Sequence, residues 1–598
     1  MSKTKDALSH EIFKPREWGR PTKAHNLPRP WFGLDTERDA NNGIFVCGFA
    51  EGPESIPFET ITDLPKGTYW VWNLPYDIEG MIRDLRQENG WAMKSDGAPF
   101  TINDAKCVYY HGKRFDWQDK DGKRIFLEAS SFFGRKSLDV MARTVLKDKK
   151  LGGIKASEMS LSRYNTDKEY RATVQEYCRH DARLVMDAVE ALNVGCTQAG
   201  KEMGLPVTLG GTPGATARRF LSAVGAFPDI LWRTHSTFLR AYCGGRFEIV
   251  KRGVLPDVYQ YDIVSAYPWA LSQCPFITAN ARHRFTRTFS DDAIYGAYEV
   301  SFKLDGYLGL APRWRDNTRV FSAQEEKTWL SKPEIEWLHM NNFDYTVHRG
   351  CEIIDESATD TWAKVVSSLF ALKQKAREEP SGMGAKIVLN SLYGVLIQLT
   401  PRGGKWVPIG DCIDPVDLAG DLALEKGPKA FDGGKYYAPA YAAHLTALTR
   451  VKLLEASLSV GDGYIGGHTD SILSTKPLRG LGHGLGDWEM VQPANGKETA
   501  DQLIITKTGV YAMDDKVKLR GIDRNLPKSA LWQKYQTRKT RVSVKRARSW
   551  DEVSLIQNKV VANNLDYEHK RNWDAPFSSS VIRRKQFIDS EPLRNVMK

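Results

Sequence analysis

The chain has 598 residues, of which 41% are apolar and 26% are charged. A typical domain has about 100–200 residues, so the length predicts about three to five domains or subdomains. The mean hydropathy of −0.43 and the absence of an apolar run of about 18 residues argue against a membrane-spanning helix. The net charge of +11 suits a polyanionic partner.

The cysteines and the N-terminus indicate a reducing compartment. The eight cysteines are scattered, and no two stand at zinc-ligand spacing, so neither a zinc finger nor a disulfide scaffold is expected. The first residues are charged and lack the apolar stretch of a signal peptide. We therefore expect a cytoplasmic protein that is not secreted.

The N-terminal third has the pattern of an α/β domain. Residues 1–30 are polar, contain four prolines and predict an extended arm. Apolar runs predict strands at 31–34, 43–49 and 68–73, and helical periodicity predicts a helix over 167–194. This domain should end near residue 200, with the Gly/Pro-rich stretch 205–215 as a boundary.

A second strand-rich block follows. It contains predicted strands at 258–264 and 295–302, predicted helices at 361–378, 383–396 and 440–458, and a Gly/Asp/Pro-rich stretch at 402–436 that is typical of an insertion. The break between the first two helices is predicted at Pro380-Ser381-Gly382. The tail after Leu526 is basic.

Two aspartates stand where a strand ends or turns. Asp262 ends the β-rich run V-Y-Q-Y, and Asp470 follows G-G-H-T. If the two segments pair in a sheet, their carboxylates meet and can hold Mg²⁺, which prefers hard oxygen ligands and leaves room for phosphates. Two such ions about 3.5–4 Å apart activate an attacking oxygen and stabilise a leaving one. The alternative is that each aspartate caps a strand or turn.

A second group of acids lies in the N-terminal block. Asp35 and Glu37 alternate on one predicted strand and face the same side. Asp77 follows N-L-P-Y, and Asp181 stands four residues after Tyr177, so both lie on one helical face. Four carboxylates from three elements can hold two metal ions and hydrolyse a phosphodiester. The alternative is that each acid is a solvated surface charge.

The segment K-I-V-L-N-S-L-Y-G (386–394) lies between Asp262 and Asp470. Lys386, Asn390 and Tyr393 fall on one face of a helix. A lysine offers a charge to a triphosphate, and a tyrosine offers a stacking surface to a base. The alternative is an ordinary amphipathic helix with an exposed lysine.

Together these segments resemble a family B DNA polymerase, whose motifs appear here in order. Three resemble its 3′–5′ exonuclease motifs, namely D-T-E (35–37), N-L-P-Y-D (73–77) and Y-C-R-H-D (177–181). Three resemble its polymerase motifs A, B and C, namely Y-D-I-V-S-A-Y-P (261–268), K-I-V-L-N-S-L-Y-G (386–394) and H-T-D-S (468–471). Y-C-G-G (242–245) resembles the motif that links the two domains in protein-primed enzymes, the phi-twenty-nine-like polymerases of phages and linear plasmids.

The resemblance implies a multidomain fold of α/β and α+β type, in which an RNase H-like 3′–5′ exonuclease precedes a right-hand polymerase with two insertions. The implied division is an arm (1–30), the exonuclease (31–200), a linker region (201–241), the palm with motif A (242–275), a first terminal-protein-region-like insertion (276–360), the fingers with motif B (361–395), a second insertion for strand displacement and processivity (396–436), the palm with motif C (437–525) and the thumb (526–598).

The resemblance also assigns roles to residues. Two Mg²⁺ ions per active site, replaceable by Mn²⁺, are implied for Asp262 and Asp470 in the polymerase and for Asp35, Glu37, Asp77 and Asp181 in the exonuclease, where Tyr177 orients the attacking water. Contacts to the dNTP are implied for Tyr267, as the sugar gate that excludes a 2′-OH, and for Lys373, Lys386, Asn390 and Tyr393. Contacts to DNA are implied for Asn73, Tyr76, Ser137, Leu138, Tyr242, Gly244, Gly245, Lys507, Arg538, Lys539, Arg541, Lys545 and Arg546.

Two segments depart from the family pattern. Motif C usually reads D-T-D, whereas its first position here is His468. Asp470 keeps the acid that is expected to bind metal, so activity should survive. K-T-G-V-Y (507–511) has three residues between lysine and tyrosine where the family has one. Primer-independent relatives also deviate here, so the priming mode stays open.

The expected partners follow from the resemblance and the charge. Residues 533–549 hold seven lysines and arginines and no acid. Such a run is usually a solvated face, but with the motifs present it indicates a thumb that grips duplex phosphates. The expected partners are a DNA template–primer, dNTPs and a terminal protein as primer. A monomer without a membrane partner is expected, in the bacterial cytoplasm if a phage encodes it.

The leading hypothesis is a replicative DNA-directed DNA polymerase with a proofreading exonuclease, protein-primed and strand-displacing. The alternatives are a primer-independent family B polymerase, a 3′–5′ nuclease whose polymerase site has decayed through His468, and a non-catalytic nucleic-acid clamp. The intact motif B and Tyr267 serve dNTP selection, which a nuclease or a clamp does not need.

Overall fold

The structure is a computed structural model that describes part of the chain. It describes residues 13–15, 26–41, 43–87, 99–110, 112–152, 154–202, 204, 207–224, 232–306, 308–315, 318–375, 380–402, 405–408, 422–426, 430–433, 436–493, 495–519, 531, 535–542, 555–562, 568, 570–576 and 579–594.

The N-terminal module is built on an eight-stranded mixed sheet. A short strand, β1 (Phe13–Pro15), precedes it, and its own strands are β2 (Trp31–Arg38), β3 (Phe45–Glu51), β4 (Ser55–Phe58), β5 (Gly67–Val71), β6 (Pro99–Ile102), β7 (Ala105–Tyr110), β8 (Arg114–Asp119) and β9 (Gly122–Glu128). They pair in the order β4–β3–β2–β5–β9–β8–β7–β6. β5 is parallel to β2 and to β9, and the other pairs are antiparallel. The strands predicted at 31–34, 43–49 and 68–73 are thus confirmed, with shifted ends.

Helices cover this sheet. The first lies between β5 and β6 in the chain, and the others follow β9. They are α1 (Leu74–Gln87), α2 (Leu138–Met141), α3 (Leu161–Thr166) and α4 (Lys168–Glu202). The predicted helix at 167–194 is confirmed as α4 and continues to Glu202. Gly33 lets α4 approach β2, because a Cβ at Gly33 would lie 2.1 Å from the carbonyl oxygen of Ala182. This close approach brings the carboxylates of β2 and α4 near one another.

The remaining helices belong to the second block. They are α5 (Pro213–Val224), α6 (Trp232–Ala241), α7 (Ala266–Ser272), α8 (Lys332–Met340), α9 (Thr361–Lys375), α10 (Pro380–Leu396), α11 (Pro439–Ser459) and α12 (Ser579–Arg583). The segment predicted as a linker region therefore contains α5 and α6. Phe220 and Phe238 on these helices are buried in one core with Leu389 and Leu392 of α10.

The boundary between α9 and α10 differs from the prediction. Pro380 is the first residue of α10. Pro380-Ser381-Gly382 therefore forms the first turn of α10 and does not separate the two helices. Proline is tolerated in the first turn of a helix because its missing N–H would have no intrahelical partner there. The predicted helix at 361–378 is confirmed over Thr361–Lys375.

The strands of the second block form several sheets. They are β10 (Arg246–Ile249), β11 (Arg252–Ile263), β12 (Arg282–Thr286), β13 (Tyr295–Lys303), β14 (Ala311–Arg315), β15 (Thr318–Ser331), β16 (Tyr345–Ile354), β17 (Leu399–Arg402), β18 (Lys405–Pro408), β19 (Leu422–Lys426), β20 (Ala430–Gly433), β21 (Tyr464–Thr469), β22 (Ser471–Ser474), β23 (Trp488–Met490), β24 (Ala500–Lys507), β25 (Val510–Met513), β26 (Lys516–Leu519), β27 (Tyr535–Val542), β28 (Leu555–Ala562), β29 (Arg571–Trp573), β30 (Phe587–Ile588) and β31 (Ser590–Arg594).

Two large sheets organise this block. The central sheet has the order β10–β21–β22–β11–β24–β25–β26, and β23 and β30 also pair with β11. The lateral sheet has the order β12–β16–β13–β15–β31–β29, with β14 on β15. The buried helix α11 contacts both α7 and α8, so the central sheet and the helix layer share one core.

Small sheets lie in the segments predicted as the arm, the second insertion and the thumb. β1 pairs in parallel with β20, which pairs with β17. β18 pairs with β19, and β27 pairs with β28. The strand in the arm was not predicted, because three residues carry no periodicity.

Two sequence expectations concern the chain as a whole. No helix within the described ranges is long and apolar enough to cross a membrane. The seven cysteines that the structure describes are free thiols and are buried.

Candidate active sites

The carboxylates of motifs A and C come from paired strands. β11 runs antiparallel to β22, with Asp262 opposite Ser471, and the Ile263 N–H donates to the Asp470 carbonyl oxygen at 2.8 Å. Thr469 has a φ of 67°, so the chain turns sharply just before Asp470. The two segments therefore meet in one sheet, as the sequence predicted.

The two carboxylates repel each other. Partial desolvation, and then the charge of Asp262, raises the pKa of Asp470 to about 6. Desolvation also raises the pKa of Asp262, against a hydrogen bond from Gln260 and the charge of Lys518. Two hard oxygen donors that repel each other fit a divalent cation, which would neutralise both. The residues present therefore suit the metal that the family resemblance implies.

One face of α10 is directed away from the core and towards this pair. Lys386 and Asn390 are exposed, and Tyr393 is half-buried, whereas Val388 and Leu389 are buried. The charge of Lys386 lowers the pKa of Asp470, so the ammonium group lies within electrostatic reach of the carboxylates. The helix thus presents a cation beside the acids.

Three tyrosines and a glycine pack next to this face. The rings of Tyr267 and Tyr393 stack at 4.8 Å with an interplanar angle of 17°, and the hydroxyls of Tyr393 and Tyr242 are 2.5 Å apart. A Cβ at Gly245 would lie 2.8 Å from the Tyr267 hydroxyl. The Y-C-G-G segment therefore fixes the position of the predicted sugar gate.

Lys373 contacts motif A directly. Its Nζ donates to the Ser265 hydroxyl at 2.8 Å, and Ser265 has a φ of 53° at the turn between β11 and α7. The side chain thus reaches from α9 to the turn that follows the strand of Asp262. Its predicted contact with a triphosphate stays a prediction.

A buried ion pair below the Y-C-G-G segment was missed from the sequence. Arg450 on α11 donates through Nε to Glu334 Oε1 at 2.9 Å, and both side chains are almost fully buried. Its Nη1 donates to the carbonyl oxygens of Cys243 and Gly244, the latter at 3.0 Å. In the sequence, the only sign of this pair is a single arginine in the apolar run of α11. It does not reveal that Glu334 is the partner.

The ring of His468 lies between two other aromatic rings. Its centroid is 5.0 Å from that of Phe247 and 5.3 Å from that of Tyr511, with an interplanar angle of 16° to the latter. The family's acid at this position is therefore replaced by an aromatic stack. Tyr511 lies on β25 opposite Ile505, and Lys507 ends β24, so the K-T-G-V-Y segment forms a hairpin.

All the predicted exonuclease residues line one cleft of about 840 Å³ in the N-terminal module. They are Asp35, Glu37, Asn73, Tyr76, Asp77, Ser137, Leu138, Tyr177 and Asp181. β2, the start of α1, the start of α2 and α4 supply them. The structure thus brings these side chains together, and their individual roles stay predictions.

The acids in this cleft are hard to ionise together. Desolvation is the largest cause, and it raises the pKa of Glu37 to about 8 and that of Asp77 to about 7. The pKa of Asp35 is raised further by repulsion from Asp181 and Glu37. Such a donor set fits a divalent cation, which would favour the ionised forms.

Lys150 lies among these acids and was also missed. Its Nζ forms an ion pair with Asp181 Oδ2 and lies 5.0 Å from the centroid of the Tyr177 ring. Among the described residues, no three carboxylate, thiol or imidazole side chains surround a single metal position. In the sequence Lys150 belongs to K-D-K-K, which resembles a solvated charge run.

The basic tail is described only in part. Arg538, Lys539 and Arg541 lie on β27, which forms a hairpin with β28. Lys545 and Arg546 lie outside the described residues. Lys507 is a further predicted DNA contact. Burial lowers the pKa of Lys507, and the charge of Glu568 opposes this shift.

Comparisons with known proteins agree with this geometry. The family model for type B DNA polymerases, organellar and viral, matches residues 138–395. Phi29 DNA polymerase in its ternary complex with primer-template DNA and incoming nucleotide superposes with a TM-score of 0.62 at 16% identity, over 90% of this chain and 100% of that one. Its orthorhombic crystal form gives a TM-score of 0.60 at 16% identity, over 91% and 93%. No curated protein matches the sequence.

The family model of type B DNA polymerases matches residues 138–395, which is less than half of the chain. Together with the fold, this match supports a DNA-directed DNA polymerase. In fold it is similar to Phi29 DNA polymerase over almost its whole length, and this likeness confirms the predicted mixed α/β multidomain architecture.

Proposed function

We propose that the chain copies DNA by adding dNTPs to a primer 3′-hydroxyl under the direction of a template. The observation that carries this proposal is the meeting of Asp262 and Asp470 beside Lys386 and the stacked Tyr267 and Tyr393. Acids that bind metal, a cation for a triphosphate and a ring that limits the sugar are the groups that nucleotide addition needs.

The residues of the polymerase site divide the work. Asp262 and Asp470 would hold two Mg²⁺ ions, which supply a lowered pKa for the attacking hydroxyl and charge stabilisation for the phosphates. Lys386 and Lys373 bind the triphosphate by charge, and Asn390 supports the same helix face. The Tyr267 ring, which stacks on Tyr393, would exclude a 2′-hydroxyl.

The cleft of the N-terminal module is proposed to hydrolyse the 3′ end of a strand. Asp35, Glu37, Asp77 and Asp181 would hold the metal ions there. Tyr177 would orient a water molecule, and Lys150 would favour the ionised form of Asp181. Asn73, Tyr76, Ser137 and Leu138, which line the same cleft, would receive the unpaired primer end.

The division of the chain is likewise a proposal. The central sheet corresponds to the palm, α9 and α10 to the fingers, and residues 526–598 to the thumb. Residues 276–360 and 396–436 correspond to the two insertions, of which the second would support strand displacement. DNA, dNTPs and a terminal protein are the proposed partners.

Substitution of the two motif acids tests the polymerase assignment. Incorporation of dNTPs on a primed template should need Mg²⁺ or Mn²⁺ and should fall by at least about a hundredfold in Asp262→Asn and in Asp470→Asn, because an essential charge is lost. Asp257→Asn, five residues before Asp262 on the same strand, is the matched control and should keep full activity. A wild-type protein that incorporates no dNTP would contradict the proposal and favour the nuclease or clamp.

The exonuclease assignment is tested with the other site intact. Asp35→Ala/Glu37→Ala should abolish degradation of a mismatched 3′ end, while dNTP addition persists. If the double variant degrades primers at the wild-type rate, the cleft is not the nuclease site.

Priming needs its own experiment. Protein priming predicts that a labelled dNMP becomes covalently attached to a hydroxyl of a partner protein in the presence of template. DNA synthesis on a bare single-stranded template, without primer or partner, would instead identify a primer-independent enzyme.

A further inference from the structure

A cavity of about 390 Å³ lies outside both candidate active sites, on the lateral sheet. Residues of α6, β12, β15 and β16 enclose it, and its lining contains no acid. The side chains that define it are three arginines and two aromatic residues, namely Arg240, Arg287, Arg349, Phe285 and Trp329. Its volume falls within the range of about 300–1,000 Å³ that is usual for small-ligand sites.

The charge around this cavity is positive. Arg349 donates to both oxygens of Glu299, at 2.7 and 3.2 Å, and Lys327 lies 3.7 Å from the same carboxylate. Arg287 is exposed, and no carboxylate within the described ranges pairs with it. One acid therefore faces several cations, so an anionic ligand is favoured.

The aromatic residues further restrict the class of ligand that fits the cavity. Phe285 is 43% exposed on β12, at the edge of the sheet. The guanidinium groups of Arg240 and Arg349 each lie 5.6 Å from the Trp329 ring centroid. An exposed phenylalanine and a partly buried tryptophan beside guanidinium groups suit a base that stacks and a phosphate that is bound by charge.

We propose that this cavity binds a nucleotide unit of single-stranded nucleic acid, with its base on Phe285 and its phosphate on Arg287 and the neighbouring guanidinium groups. Duplex bases are already stacked, so a single strand is the form that can use the ring. An acidic peptide would use the cations but would gain nothing from an exposed phenylalanine. The proposal does not depend on the polymerase reaction.

Binding of a labelled single strand tests this site. The full-length protein is first saturated with unlabelled primed duplex in EDTA, which prevents nucleolysis, and fluorescein-labelled (dT)10 is then titrated by anisotropy. Phe285→Leu and Arg287→Ala should each weaken this second binding event about tenfold, in line with the loss of one stacking or phosphate contact. Arg282→Ala is the matched control, because Arg282 lies on the same strand but pairs with Glu356 at 2.7 Å, and it should stay within about twofold of wild type.

A photo-crosslink locates the bound strand. An oligonucleotide with 5-iododeoxyuridine should crosslink to the peptide that contains Phe285. The proposal is overturned if no second binding event occurs, if the crosslink maps elsewhere, or if polyglutamate displaces (dT)10 while Phe285→Leu binds like wild type. That last result would identify an acidic-peptide site. Both variants should keep dNTP addition on a short primed template. A failure of the single-strand proposal can therefore be told apart from a failure of the polymerase proposal.

Discussion

At the scale of single residues, Lys150 shows how a charge run can conceal a functional group. Its neighbours Lys147 and Lys149 are exposed, whereas Lys150 is half-buried and its ammonium group contacts Asp181. Desolvation raises the pKa values of Asp181 and Glu37, and the charge of Lys150 opposes this rise. Lys150 therefore favours the ionised acids that the proposed nuclease needs.

Lys150→Ala should reduce 3′–5′ exonuclease activity by about ten- to a hundredfold, the range typical of a lost charge-positioning group, and should leave dNTP addition unchanged. The rate of degradation of a labelled single strand measures the effect. Lys149→Ala is the control and should behave like wild type. Equal nuclease rates in the two variants would show that Lys150 has no role in the cleft.

His444 should make the stability of the folded chain depend on pH. Burial, and then the charge of Lys332, lowers its pKa to about 3, whereas the unfolded value is about 6.5. The unfolded chain therefore binds the proton more readily, so this residue costs stability as pH falls below about 6.5. Between pH 8 and pH 5 the loss should be about 2 kcal/mol.

Denaturant unfolding at these two pH values measures this loss. His444→Phe, which keeps the ring next to Tyr295 (4.9 Å between centroids), should reduce it. His235 is another buried histidine with a lowered pKa. Part of the loss of stability between pH 8 and pH 5 should therefore remain in the His444→Phe variant. His483 is 92% exposed, so His483→Phe should not alter the pH dependence. A His444→Phe protein with the wild-type pH dependence would refute this assignment.

At the scale of elements, the sequence predicts what is local. The strands predicted at 31–34 and 258–264 and the helix predicted at 167–194 match β2, β11 and α4 with shifted ends. Apolar periodicity could predict them because it is a property of neighbouring residues. The family resemblance also implied that Asp262 and Asp470 act at one site, and the pairing of β11 with β22 brings their segments together. The Arg450–Glu334 pair was not predictable, because 116 residues separate the partners and no local pattern records which buried charges face each other.

The Arg450–Glu334 pair joins three elements below the nucleotide site. Glu334 lies in the first turn of α8, where its Oε2 also accepts from the Ser331 N–H at 2.9 Å. Arg450 lies on α11 and holds the carbonyl groups of the Y-C-G-G segment. The pair therefore connects the lateral sheet to the segment that supports Tyr267.

Arg450→Met should destabilise the protein by about 3–5 kcal/mol, because Glu334 would remain buried without its partner. In protein that is still folded, the KM for dNTP should rise, since the support of Tyr242 and Gly245 is loosened. Denaturant unfolding and steady-state incorporation measure the two effects. Arg450→Met/Glu334→Leu should be less destabilised than the sum of the single variants.

The control for this pair is the exposed pair Lys364–Asp360, at 2.7 Å. Lys364→Met should cost less than about 1 kcal/mol, because an exposed ion pair gains little. An Arg450→Met protein with wild-type stability and an unchanged KM for dNTP would show that the buried pair does not position the site.

At the scale of the whole molecule, the modules share cores but keep their sites apart. The carboxylates of the nuclease cleft come from the N-terminal sheet, and those of the polymerase site come from the central sheet. α4 nevertheless packs against α10, which carries motif B. This contact gives a fixed separation between the two proposed reactions, so a primer end must leave one site to reach the other.

The excess of positive charge should make duplex binding strongly dependent on salt. If the chain neutralises about 6–10 phosphates, its affinity for primed DNA should fall by about 10³–10⁵ between 50 and 200 mM salt. Arg538→Ala/Lys539→Ala/Arg541→Ala on β27 should flatten the slope of log K against log[salt] by about 0.9 for each lost phosphate contact. The triple variant Lys155→Ala/Arg163→Ala/Arg179→Ala removes the same charge from exposed sites on the N-terminal module and should keep the wild-type slope. Equal slopes in the two triple variants would place the phosphate contacts away from β27, and a salt-independent wild-type affinity would contradict the proposed grip on the DNA backbone.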